Sequence, residues 1–87
     1  MRKVLFQNDS FEQYNEWAQK DRKVLKKIAE LIKDTLRHPF EGLGKPEPLK
    51  GNYKGYWSRR ISDEHRLIYK VTDEFIIIAS CKYHYED

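Results

Sequence analysis

YWSRRISDEHRLIYKVTDEFIIIASCKYHY, residues Tyr56 to Tyr85, decides the fold, because three strands in succession can be read from it. From Tyr56 to Ser62, Trp57 and Ile61 alternate with Ser58, Arg60 and Ser62. From Arg66 to Val71, Leu67, Tyr69 and Val71 alternate with Arg66 and Lys70. Period-2 alternation is the mark of a half-buried strand. Phe75 to Ala79 is continuously apolar and rich in isoleucine, as a strand buried between neighbours should be. One face is predicted to be apolar and the other basic. Extending the parity past Ser80 puts Lys82 and His84 with Arg60 and Arg66 on one open sheet surface.

Upstream, Lys3 to Gln7 predicts a short strand, and Asn8, Asp9 and Ser10 are good N-cap residues for the helix that follows. That helix places Phe11, Tyr14, Trp17 and Ala18 on a core stripe. Asp21 caps a second helix, whose Val24, Leu25, Ile28, Leu31, Ile32 and Leu36 keep the helical period. Its Lys23, Lys26, Lys27 and Lys33 alternate with Glu30 and Asp34, which reads as a solvated face. Proline and glycine then punctuate a loop from about His38 to Tyr53, long for so small a domain, which draws attention to Lys45, Glu47 and Lys50. A strand, two helices and three antiparallel strands make one α+β domain spanning residues 1–87.

Composition narrows the classes. A chain of 87 residues buries only about 60–65% of its unfolded surface, which leaves no room for a second domain. No apolar run approaches the roughly 20 residues that span a bilayer, so no membrane partner is expected. Met1 to Phe6 is too short and polar for a signal peptide, and the single Cys81 has no internal disulfide partner, so the cytoplasm is the expected compartment. The net charge of +3 favours polyanionic partners without selecting nucleic acid. One cysteine and three scattered histidines lack metal-ligand spacing, and phosphate-cradling glycine loops are absent, so neither metal nor cofactor is expected.

A loop carboxylate, arginines on a sheet face and a histidine near a strand end suffice for phosphodiester cleavage without a metal. A base takes the proton from a ribose 2′-OH, cations hold the phosphate as charge builds, and an acid protonates the leaving 5′-oxygen. Glu47 suits the base, Arg66 the phosphate through its planar fork, and His84 the acid. Tyr83 and Tyr85 equally suit base stacking in a non-catalytic RNA- or protein-binding module, the alternative reading. His65 reads as a structural turn residue.

Three segments in order, HPFEGLGKPEPLK (His38–Lys50), GYWSRRISDEHRLIYKV (Gly55–Val71) and CKYHY (Cys81–Tyr85), resemble the YoeB/Txe toxins, a branch of the RelE-like ribonucleases. The likeness covers almost the whole chain. It implies a sheet with two helices on one side, ribosome-dependent cleavage of mRNA in the A site, and neutralisation by a YefM-type antitoxin; it leaves a homodimer open. Carried over residue by residue, it implies Glu47 as general base, His84 as general acid, Arg66 as the phosphate-stabilising cation and Tyr85 as an orienting group. Lys50 and Arg60 become supporting cations, with Lys45 and Lys82 as further RNA-binding candidates. The chain departs from the family ending by adding Glu86 and Asp87 after Tyr85, two carboxylates beside the expected acid.

Overall fold

The computed structural model, which describes residues 1–83, puts the isoleucine-rich run inside a five-stranded sheet. In chain order the elements are β1 (Lys3–Phe6), α1 (Ser10–Lys20), α2 (Arg22–Arg37), β2 (Glu47–Pro48), a 3-10 turn (Gly51–Tyr53), β3 (Trp57–Arg60), β4 (Arg66–Val71) and β5 (Phe75–Ser80). The sheet order is β1-β5-β4-β3-β2. β2, β3, β4 and β5 pair antiparallel in turn, while β1 runs parallel to β5 and closes the other edge. The fold is α+β, as expected, but β2 was not foreseen. It is two residues long, with Pro46 before it and Pro48 inside it, a composition tolerated only at a sheet edge.

The helices form where their signals stand. The Asp21 side chain accepts hydrogen bonds from the backbone N–H groups of Lys23 and Val24 at 3.1 and 3.4 Å, starting α2. Ile28, Leu31, Ile32 and Thr35 of α2 are buried, the first three in one cluster with Leu67, Tyr69, Ile76 and Ile78 of the sheet. At α1 the expected cap chemistry differs: Asp9 makes no side-chain cap, and the fully buried Ser10 hydroxyl donates instead to the Ile78 carbonyl at 2.8 Å. Trp17 is buried as expected, its indole N–H donating to the Cys81 carbonyl at 3.0 Å, whereas Phe11 is 54% exposed. Ring contact with Phe6 covers only part of Phe11.

Cross-strand register sorts the side chains. Phe6, Ile78, Tyr69 and Trp57 lie in one row beneath the helices, and Leu67 and Ile76 join them in the core with Ile28, Leu31 and Trp17. Ile28, Leu31, Leu67, Ile76 and Ile78 are fully buried, each contributing about 1.5–3 kcal/mol of hydrophobic stabilisation. The opposite face carries Glu47, Ser58, Ile68 and Ser80 in one row and Arg60 with Arg66 in the next. Ile68 pairs with Ser80 but Tyr69 with Ile78, so Ala79 is an extra residue that bulges β5 at this point. The open face is therefore not uniformly basic: Ser58 and Ile68 are buried in its middle.

Candidate active site

The loop before Glu47 is held down by Arg59, which shares the strand parity of Trp57 and Ile61 and so points into the core. Its side chain is fully buried, and all five N–H groups of the guanidinium are used. Nε donates to the Tyr69 hydroxyl at 3.2 Å, Nη1 to Asp34 at 2.7 Å and to the Leu43 carbonyl at 3.1 Å, and Nη2 to the carbonyls of His38 and Glu41 at 2.5 and 2.9 Å. Tyr69 in turn donates to the Pro39 carbonyl at 2.8 Å, and burial raises its pKa, keeping that hydroxyl protonated. The Leu43 backbone N–H, at 2.9 Å, and then the Arg59 guanidinium hold the Asp34 carboxyl below its ordinary range. Gly44 lies against the strand at φ +78°, where a Cβ would come within 2.9 Å of Leu31 and 3.1 Å of Arg59. Its carbonyl accepts from the Arg60 backbone N–H at 2.7 Å.

So fixed, the loop enters β2, and pairing with Ser58 sets Glu47, exposed, on the open face. Arg60 and Arg66 face each other across β3 and β4 on that same surface. Arg60 is ion-paired with Asp63, its own side chain 46% exposed, so a modest interaction ties it there. Arg66 is partly buried; Nη1 donates to the carbonyls of Ser62 and His65 at 2.5 and 3.1 Å, which pins one arm of the fork. Lys45, at φ 51°, and Lys50, beside the 3-10 turn, are exposed on the segments flanking β2.

Lys82 does not join this group. β5 ends at Ser80, the chain turns, and Lys82 is only 16% exposed, its ammonium 3.2 Å from Glu16 of α1. Hydrogen bonding to Glu16 raises its pKa, so it remains a charged partner of the helix. Beyond the turn, the Arg66 backbone N–H donates to the Tyr83 carbonyl at 3.1 Å, and the Tyr83 N–H donates to His65 Nδ1 at 2.8 Å. The imidazole packs between Trp17 and Tyr83, with ring centroids 4.8 and 5.8 Å away. His84, Tyr85, Glu86 and Asp87 lie outside the described residues.

One residue was missed, Arg59; His65 is the structural turn residue expected, and its Nδ1 holds the Tyr83 N–H. Strand parity was the available signal for Arg59, since its neighbours Trp57 and Ile61 both point inward. The contact of His65 was not legible locally, because its partner is contributed by a turn 18 residues later. Among the described residues, no three His, Cys, Asp or Glu side chains cluster as metal ligands. Strand register sets Glu47, Arg60 and Arg66 on a single surface, one carboxylate and two guanidinium groups, a set suited to deprotonating a hydroxyl beside a phosphate.

The family model of the YoeB-like toxin of bacterial type II toxin-antitoxin systems matches residues 6–85. This chain belongs to that family. Toxin YoeB of Escherichia coli K12 is 57% identical over 83 residues, which are 95% of this chain and 99% of that protein. Among solved structures, the YoeB dimer from Staphylococcus aureus matches with a TM-score of 0.90 and 53% identity, covering 97% of this chain and 98% of that one. The heterotetrameric YoeB–YefM toxin-antitoxin complex of the same organism contains a chain matching at TM-score 0.89 and 52% identity, with 98% and 99% covered. The resemblance read from His38–Lys50, Gly55–Val71 and Cys81–Tyr85 is thus a family membership, and the α+β sheet is the YoeB fold.

Proposed function

We propose that this YoeB-like toxin is an endoribonuclease that cuts mRNA in the ribosomal A site without a metal, using the ribose 2′-OH as internal nucleophile. Glu47 takes the 2′-OH proton, Arg66 meets the charge that grows on the phosphate, and His84 protonates the departing 5′-oxygen, with Tyr85 orienting the reacting groups. Lys45, Lys50 and Arg60 steer and hold the RNA backbone; Lys82 serves α1 instead.

The observation that carries the reading is the placement of Glu47 and Arg66 on the same open face, two strands and two residues apart. Strand spacing puts their backbones about 9–10 Å apart across the sheet and about 7 Å along it. That leaves room for a sugar and its phosphate between the side chains. His84 follows directly on Tyr83, whose carbonyl is bound to the Arg66 backbone N–H. The cognate partner is an antitoxin of the YefM type covering this face with an acidic segment that orders on binding. A homodimer and a cytoplasmic location go with the same reading.

The test is an assay on translating ribosomes with wild type and His84→Gln. Loss of about 10²- to 10⁴-fold in cleavage, with ribosome binding retained, supports the reading. Equal rates for the two proteins would overturn it.

A further inference from the structure

We propose that the cleft at the β5 end of the open face is a subsite for one unpaired nucleobase of the RNA; the inference rests on the ribonuclease reading above. The cleft has a volume of about 350 Å³, within the range of small-ligand sites. It lies where the end of β1 comes beside the tip of the β2–β3 hairpin. Gln7 and Asn8 stand on one wall, Asn52 and Tyr56 on the other, and Ile68 and Ser80 line it between them.

Ile68 and Ser80 are paired in the same cross-strand row as Glu47 and Ser58, so the row runs from the proposed base directly into the cleft. The bulge at Ala79 falls at this end of the row. A chain of nucleotides held by its phosphate between Glu47 and Arg66 therefore has this hollow within about three strand spacings, roughly 14 Å. The wall chemistry suits a base, and the absence of a lysine or arginine from the lining, among the described residues, makes it a poor phosphate site. A tyrosine ring and an isoleucine side chain receive a flat aromatic face, and carboxamides donate to and accept from the edge of an unpaired base. Lys70 Nζ lies 5.6 Å from the Tyr56 ring centroid, putting positive charge beside the cleft for the attached phosphodiester.

The experiment has two arms that fail separately. In the first, ¹⁵N-labelled full-length protein is titrated with adenosine 5′-monophosphate and, as control, ribose 5-phosphate. Shifts of the Asn8 and Asn52 side-chain amides and of the Ser80 backbone with the nucleotide alone support the subsite. No shift there at millimolar nucleotide, or the same shifts with ribose 5-phosphate, overturns it whether or not the protein cuts RNA. In the second, cleavage on translating ribosomes is compared for wild type, Tyr56→Leu, Tyr56→Phe and Asn8→Gly, the last keeping the left-handed backbone at Asn8, φ 56°. The subsite predicts a KM raised about 5- to 100-fold in Tyr56→Leu, the range for loss of one stacked base, with a smaller rise in Tyr56→Phe and Asn8→Gly. A drop in kcat with KM unmoved across all three overturns the subsite, and absence of cleavage by wild type counts against the ribonuclease reading alone.

Discussion

Asp34 of α2 and Arg59 of β3 meet at 2.7 Å, joining helix to sheet beneath the loop that leads to Glu47. Removing the carboxylate leaves a fully buried guanidinium without its counter-ion. Asp34→Asn is expected to lower stability by about 3 kcal/mol, the lower end for breaking a buried pair, because the Asp34 side chain is still 20% exposed. Urea unfolding of the two proteins measures it. The pH dependence has a definite sign. The Leu43 N–H and then Arg59 hold the folded carboxyl below its ordinary 3.8. The unfolded chain therefore takes up the proton first as pH falls, so the Asp34 contribution is complete above the ordinary carboxylate range and disappears as pH drops through the folded value. The stability gap between wild type and Asp34→Asn should close below about pH 4.

His65 positions the chain just before His84, since its Nδ1 accepts the Tyr83 N–H. An asparagine side chain offers an acceptor in a similar place and a phenylalanine offers none. His65→Phe is expected to reduce kcat by up to about 10²-fold, the cost of misplacing a reacting group by an ångström, and His65→Asn to recover a large part of that loss. Faster exchange of the Tyr83 amide hydrogen in His65→Phe should accompany the defect. Equal loss in both variants, explained by melting temperature alone, would reduce His65 to a packing role.

Arg66 and Lys50 should separate under salt. Lys50 is exposed, and if it steers RNA at long range as proposed, Lys50→Ala should slow association and be mimicked by raising ionic strength. Arg66→Ala should depress the single-turnover rate more deeply, because charge on the phosphate peaks in the transition state. A salt titration that reproduces the whole Arg66→Ala defect would leave Arg66 as a landing site only.

Cys81 is fully buried, and burial pushes its thiol up to about 12. It should be inert to thiol reagents at neutral pH in the folded protein and react promptly once urea unfolds the chain. Labelling read by mass spectrometry checks both halves of the expectation.

Periodicity located the elements that bury an apolar stripe. α2 with Ile28, Leu31 and Ile32 is one, and β5 with Ile76 and Ile78 is another, because burial and period express the same constraint. It was blind where long-range partners decide. β2 exists only because Glu47 and Pro48 find Ser58 and Trp57 beside them, and a single residue between Pro46 and Pro48 carries no strand signal of its own. Arg59 was passed over because a charged side chain is expected to face water, and five partners spread from Asp34 to Tyr69 reverse that rule. Lys82 was misplaced by extending strand parity through a turn in which Tyr83 has φ 67°. Of the site, Glu47, Arg60 and Arg66 were legible as residue types at suggestive places. Strand parity already set Arg60 and Arg66 on one face; that Glu47 joins them depended on the pairing of β2 with β3, which no local pattern contains.

The role proposed for Glu47, activation of the ribose 2′-OH, can be measured directly. Its most direct test is single-turnover cleavage by wild type and Glu47→Gln on the same ribosome-bound mRNA, in buffer whose free metal suffices only to keep the ribosome intact, with the new ends identified chemically. With Glu47 as the base, the ends are expected to be a 2′,3′-cyclic or 3′-phosphate opposite a 5′-hydroxyl, and the rate in Glu47→Gln lower by about 10²- to 10⁴-fold. Ends bearing a 5′-phosphate, or an undiminished rate in Glu47→Gln, would contradict it.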